Sequence, residues 1–139
     1  MTTVAAHEDP WYLRLHLVAS IAIAVVVVGV FCTWTSVGPV SLNGTEGPNN
    51  GWLVVILAVI SLGWSRLMRR DTRTGAIGAV GVLMASVVIC WTVIENWLDN
   101  RDVLDASVGY GLLLVLAGGV ALGAAAVLRA IELVRSARG

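Results

Sequence analysis

With 139 residues, 58% of them apolar and 13% charged, the chain departs from the charged share near 25% that soluble domains carry. Its formal net charge is zero, which excludes the basic footprint of a nucleic-acid-binding protein. The length accommodates one small bundle of membrane spans with short loops, residues 1–139 forming a single domain, and no additional soluble domain.

The first apolar run, Leu15 to Trp34, has Ile21-Ala-Ile-Ala-Val-Val-Val-Val-Gly-Val-Phe31 at its heart. It does not alternate as a barrel strand would, and in lipid a helix satisfies its own backbone, so a first transmembrane helix is predicted. A cleaved signal peptide is not expected. The leader carries Glu8 and Asp9 instead of a basic patch, and no small-residue cleavage site follows the run. His16 lies near the inner end of this span and is read as an interfacial polar residue rather than a haem ligand. Thr33, Thr35 and Ser36 at its outer end are expected to hydrogen-bond locally.

The first outer loop, Val37 to Gly51, contains Gly-Pro twice and Asn43-Gly44, which are turn signals. A compact loop is predicted, with Val40 to Leu42 extended and a tight turn after it. Asn43-Gly44-Thr45 matches a glycosylation acceptor, but a hairpin-like turn is the preferred reading.

Span two is predicted from Trp52 to Met68, with Arg66 snorkelling at its end. Span three follows from Thr74 to Ile94. Glu95, just beyond it, is either an ion site or a solvated residue near Arg101; the aqueous look of Asn96, Asp99 and Asn100 favours the latter. Asp105 or Ser107 is expected to cap span four, which runs from Val108 to Leu128 and continues as an amphipathic helix through Ile131, Leu133 and Val134. Small residues crowd span four: Ala117, Gly119, Ala121, Gly123 and Ala125 recur at the spacing that lets membrane helices approach closely. Gly75, Gly78 and Gly81 add a similar stretch to span three. Packing within the bundle is the preferred use of these residues. Span four has small residues on more than one face, so a contact with another subunit remains open.

The arginines orient the bundle. Arg14, Arg66, Arg69, Arg70, Arg73, Arg129, Arg135 and Arg138 fall on one side of four spans and only Arg101 on the other, which places both termini in the cytoplasm. Trp11, Tyr12 and Trp64 are assigned to the inner interface, and Trp34, Trp52, Trp97 and Tyr110 to the outer one. Cys32 and Cys90 have similar predicted depth, yet free thiols are preferred to a bridge, and no Cys-x-x-Cys pair exists. All nine basic residues are Arg, a bias common in GC-rich bacterial genomes.

A first span ending in Phe31 and Trp34, a Gly-rich loop ending in Gly51-Trp52, the Arg69-Arg70 turn and a Gly109-Tyr-Gly-Leu112 opening of the last span give the chain its overall look. In these features it resembles small four-span actinobacterial membrane proteins of unknown function, a resemblance that implies a fold and no activity.

The resulting expectation is an all-α, four-transmembrane-helix bundle in the bacterial plasma membrane, with a compact Gly/Pro/Asn-rich first outer loop. No catalytic residue, metal ligand or cofactor is assigned. The expected action is non-enzymatic: helix–helix contact, as an accessory or stabilising subunit of a larger envelope complex or as a homo-oligomer. The absence of a mid-span charge argues against coupled transport. The alternative is a small channel or transporter with an acidic outer entrance near Glu95.

Overall fold

The computed structural model describes residues 14–46, 50–70, 72–101 and 106–138. In chain order these form α1 (Leu15–Phe31), β1 (Thr33–Val37), β2 (Val40–Asn43), α2 (Gly51–Leu67), α3 (Thr72–Arg101), β3 (Ala106–Val108) and α4 (Tyr110–Ser136). By length and composition, Arg73–Arg101 of α3 and the whole of α4 could each cross a membrane, whereas α1 and α2 are shorter apolar helices of 17 residues. The four predicted apolar runs are therefore helices, but the expectation of an all-α chain is corrected by a three-stranded antiparallel sheet of order β2-β1-β3.

That sheet changes several boundaries. Span one was expected to reach Trp34, but α1 stops at Phe31 and Thr33, Trp34, Thr35 and Ser36 belong to β1. β-Branched Thr and Val with an aromatic suit a pleated strand once partners are supplied. α3 continues seven residues past Ile94 to Arg101. Val108, the expected first residue of span four, and Ser107, an expected cap, lie in β3; the N-cap of α4 is Gly109, without a side-chain hydrogen bond. Asp105, the other expected cap, lies outside the described residues, as do Trp11 and Tyr12. At the far end α4 runs on through Ile131, Leu133 and Val134 to Ser136.

The hairpin turn falls at Gly38-Pro39, between the paired Val37 and Val40. Gly38 has φ +58°, the left-handed conformation that a two-residue hairpin turn requires at its first position. The extended piece expected at Val40 to Leu42 is β2, and Asn43-Gly44 turns the chain onward instead of closing the hairpin. There the Asn43 side-chain oxygen accepts from the Thr45 backbone N–H at 2.9 Å and the Thr45 hydroxyl at 2.7 Å. β3 pairs with β1 through Thr35↔Val108, Ser36↔Ser107 and Val37↔Ala106, so the two connections at this end of the bundle share one sheet.

The core runs along the middle of the four helices, through Ala22, Val26, Val30, Val54, Val82, Ile89, Val115 and Leu122. α4 packs against both α1 and α3, and α2 against α1 and α3. The small residues make this possible. A methyl group on Gly118 would lie 2.7 Å from Val26 Cγ2, and one on Gly111 would lie 2.7 Å from the Gly29 carbonyl. On α3, Gly78 receives the end of α2 and Gly81 lies directly beneath the Trp64 ring. Close backbone approach is how apolar helices with little polar complementarity associate.

Candidate functional site

The two ends of the bundle are chemically unlike, and each is built on residues whose partners are distant in sequence. At the sheet end the organising residue is Trp34. It is 1% exposed, so its expected place at an outer interface is corrected to the core. The register between β1 and β2 shifts between Thr33 and Thr35, leaving Trp34 as an extra residue. Such a bulge lets neighbours turn to the same side, and Trp34 and Thr35 are both buried.

Trp34 also closes the end of α1. The last carbonyls of a helix have no partner within it. Here the Gly29 carbonyl accepts from the Trp34 indole N–H at 2.9 Å and from the Cys32 N–H, and the Val30 carbonyl accepts from Gly44 N–H at 2.9 Å. Gly44 packs closely against the indole, where a methyl group would come within 2.5 Å of Trp34 Cε2. The Trp34 carbonyl accepts from Gly109 N–H at 2.7 Å, which seats the start of α4.

A polar ladder on α3 meets this sheet. Thr92 Oγ1 donates to Val88 O, Asn96 Nδ2 to Thr92 O, and Asn100 Nδ2 to both Asn96 O and Thr35 Oγ1, the last at 2.8 Å. Asn96 is buried, contrary to the aqueous position expected for it. Spacing of four residues stacks these side chains on one helix face. Glu95, one position away from Asn96, is exposed on α3. Trp52, Trp97 and Tyr110 are exposed at the same end, with Arg101 over the Trp97 ring at 5.8 Å.

Midway, α4 is used on two sides. Ser86 Oγ of α3 donates to the Gly119 carbonyl at 2.7 Å, and a methyl group on Gly123 would lie 2.6 Å from Ser86 Oγ. Gly119, Gly123 and Ala125 are thus buried within the chain, while Ala121 is half-buried and Ala117 is exposed. Ala117, Gly118 and Ala121 line a groove of about 300 Å³ against Val18, Ile21 and Val25 of α1. Both cysteines are free thiols. Cys32 lies against Gly111 and Cys90 against Gly119, two helical turns apart on α4, about 12 Å and beyond disulfide reach.

At the opposite end, Arg129 is the residue sequence reasoning undervalued. In the sequence it is one of eight orienting charges, yet in the fold it is 5% exposed. Its Nε donates to the Met68 carbonyl at 2.9 Å and an Nη to the Arg70 carbonyl at 3.4 Å. These carbonyls end α2 and its turn, where positive charge complements the helix dipole. Arg66, Arg69 and Arg70 are exposed around this clamped turn. The one available signal was position: Arg129 lies three residues after Ala126 and four after Ala125, on the buried face of α4.

No protein-family model matches the chain, and no curated protein or solved structure is significantly similar to it.

Proposed function

We propose that the chain is an integral membrane protein in which all four helices cross the bilayer of a bacterial plasma membrane. The sheet lies outside, and the arginine turn and both termini lie in the cytoplasm. On this reading it acts without catalysis, by contact with another membrane protein or with a second copy of itself. One observation carries the reading: each of the four helices exposes large apolar side chains to its surroundings. Ile21 on α1, Val59 on α2, Trp91 on α3 and Leu113 on α4 are each at least 60% exposed. A water-soluble protein rarely presents apolar residues around its whole girth. Inside, Gly29, Gly81, Gly118 and Gly123 set the helix spacing.

The lengths are compatible with this placement. Seventeen residues make a helix of about 25 Å, at the short limit for a hydrocarbon core near 30 Å. Eight arginines gather at the turn end, which supports the orientation. Of the small residues considered for contact, Gly119, Gly123 and Ala125 are occupied inside the chain. Ala117 and Ala121, on the groove beside α1, are the ones left for a neighbour.

Photo-crosslinking in intact membranes from Ala117 and Ile21, followed by mass spectrometry, tests the contact. A recurrent adduct to one protein, or to the chain itself, is expected. A solitary monomer in several detergents together with no adduct from either position would refute it. Release of the protein from membranes by alkaline carbonate would refute the bilayer placement.

A further inference from the structure

The arginine turn offers more than orientation. Arg66, Leu67, Arg69 and Arg70 line a cleft of about 430 Å³ at the end of α2. Its floor is held rigidly. The backbone closes through Arg69 N–H to Arg66 O and Arg70 N–H to Leu67 O, and buried Arg129 clamps the Met68 and Arg70 carbonyls from behind. Because Arg129 supplies the positive charge that these carbonyls need, the three exposed guanidinium groups are left to face outward. α3 begins just beyond, with no acidic residue in its first turn. Among the described residues the acid near this end is half-buried Glu132, one turn past Arg129; in sequence, Asp71 follows Arg70, and Glu8 and Asp9 precede α1.

Next to the cleft, α2 presents an exposed apolar face. On α2, Ile56, Val59, Gly63 and Arg66 fall on one face at helical spacing, and Ile56 and Val59 are exposed. Gly63 has open space where a side chain would be, one turn before Arg66 and Leu67. A strongly cationic end therefore adjoins an exposed apolar face of the same helix, with a side-chain gap at Gly63.

We propose that this turn binds an anionic phospholipid, its phosphate held by Arg66, Arg69 and Arg70 and an acyl chain laid along α2 past Leu67 and Gly63. Guanidinium groups pair with phosphate oxygens through two parallel hydrogen bonds, which favours arginine at such a site. A free phosphate would use the arginines but leave the adjoining apolar face without a role, and a lipid uses both. Basic residues at the cytoplasmic surface attract anionic lipid, each contributing about fivefold in affinity. The proposal rests on the bilayer placement given above.

Native mass spectrometry of the full-length protein in mild detergent, offered phosphatidylglycerol or phosphatidylcholine of equal chain length, tests it. Phosphatidylglycerol is expected to be retained at least about fivefold better. Arg66→Gln/Arg69→Gln/Arg70→Gln should abolish that preference, whereas Arg135→Gln/Arg138→Gln, away from the cleft, should preserve it. Gly63→Leu adds a side chain into open space. With an unchanged far-UV circular dichroism spectrum it should weaken retention of long-chain phosphatidylglycerol without altering the charge. Equal retention of the two lipids, an unaffected triple variant, or displacement of phosphatidylglycerol by millimolar inorganic phosphate would each overturn the proposal. Protein that resists carbonate extraction yet shows no lipid preference overturns the lipid site alone; protein that carbonate releases overturns the bilayer placement as well.

Discussion

Arg129 shows how one side chain can join elements that the sequence separates. Its guanidinium reaches two main-chain carbonyls 59 and 61 residues away. Removing it takes a charged donor from the buried bond to Met68 and from the longer, part-buried bond to Arg70, and a hydrogen bond to a charged group contributes about 1.5–3 kcal/mol. Arg129→Met is expected to lower the thermal unfolding midpoint in detergent by several degrees, and Arg129→Lys to recover only part, since a point charge cannot span both carbonyls. An unchanged midpoint for Arg129→Met would show that the clamp is not stabilising. Gly119 is a steric counterpart. A methyl group there would lie 2.9 Å from Cys90 Sγ and 3.3 Å from Ile89 Cγ2. Gly119→Val is expected to destabilise by about 1–3 kcal/mol through overpacking. Ala117→Val, at an exposed position, should change stability little. Comparing the two melting curves separates internal packing from surface contact.

Among the elements, the sheet and the end of α3 depend on each other. Asn100 joins α3 to Thr35, and Trp34 joins β1 to α1 and α4. Trp34→Ala would open a cavity beneath the sheet and remove an indole donor, at a cost of about 3–5 kcal/mol. Hydrogen exchange of the β1 and β2 amides is expected to rise sharply in that variant while α2 stays protected. Thr35→Val keeps the strand shape but removes the Asn100 partner, at a cost of about 1 kcal/mol. Loss of protection in α2 equal to that in the sheet would mean that the sheet is not a separable unit. The dependence on tertiary partners also explains why sequence reasoning ended the first helix at Trp34. Apolar Phe31 and Trp34 extend the hydrophobic run, and nothing local reveals that β2 and β3 will pair with the residues between and after them.

At the scale of the whole molecule, the four-span reading makes a neutral chain electrically polarised: chain order assigns eight arginines and four acids (Glu8, Asp9, Asp71, Glu132) to one side, and Arg101 with five acids (Glu46, Glu95, Asp99, Asp102, Asp105) to the other. That polarity gives a direct topological expectation. In a background with Cys32 and Cys90 replaced by Ala, Ser41→Cys should react with a membrane-impermeant maleimide in intact cells. Arg138→Cys should react only after permeabilisation. The reverse pattern, or labelling of both positions in intact cells, would reject the assigned orientation.

The sequence by itself determined four apolar helices, an extended piece at Val40 to Leu42 with a turn after it at Asn43-Gly44, and the clustering of arginines between the second and third helices, but it put the hairpin turn at Asn43-Gly44 and not at Gly38-Pro39. These follow from run length, composition and local conformational preference, which a few neighbouring residues settle. Only the tertiary structure decided which small residues seat which helix, that Trp34 is a buried anchor, and that Arg129 clamps the turn that presents Arg66, Arg69 and Arg70. It also decided that both connections at one end combine into a single sheet. Each of these depends on a partner tens of residues away. The periodicity of a helix identifies neighbours within a turn or two, but it carries no record of which distant carbonyl, ring or strand will face them once the bundle has closed.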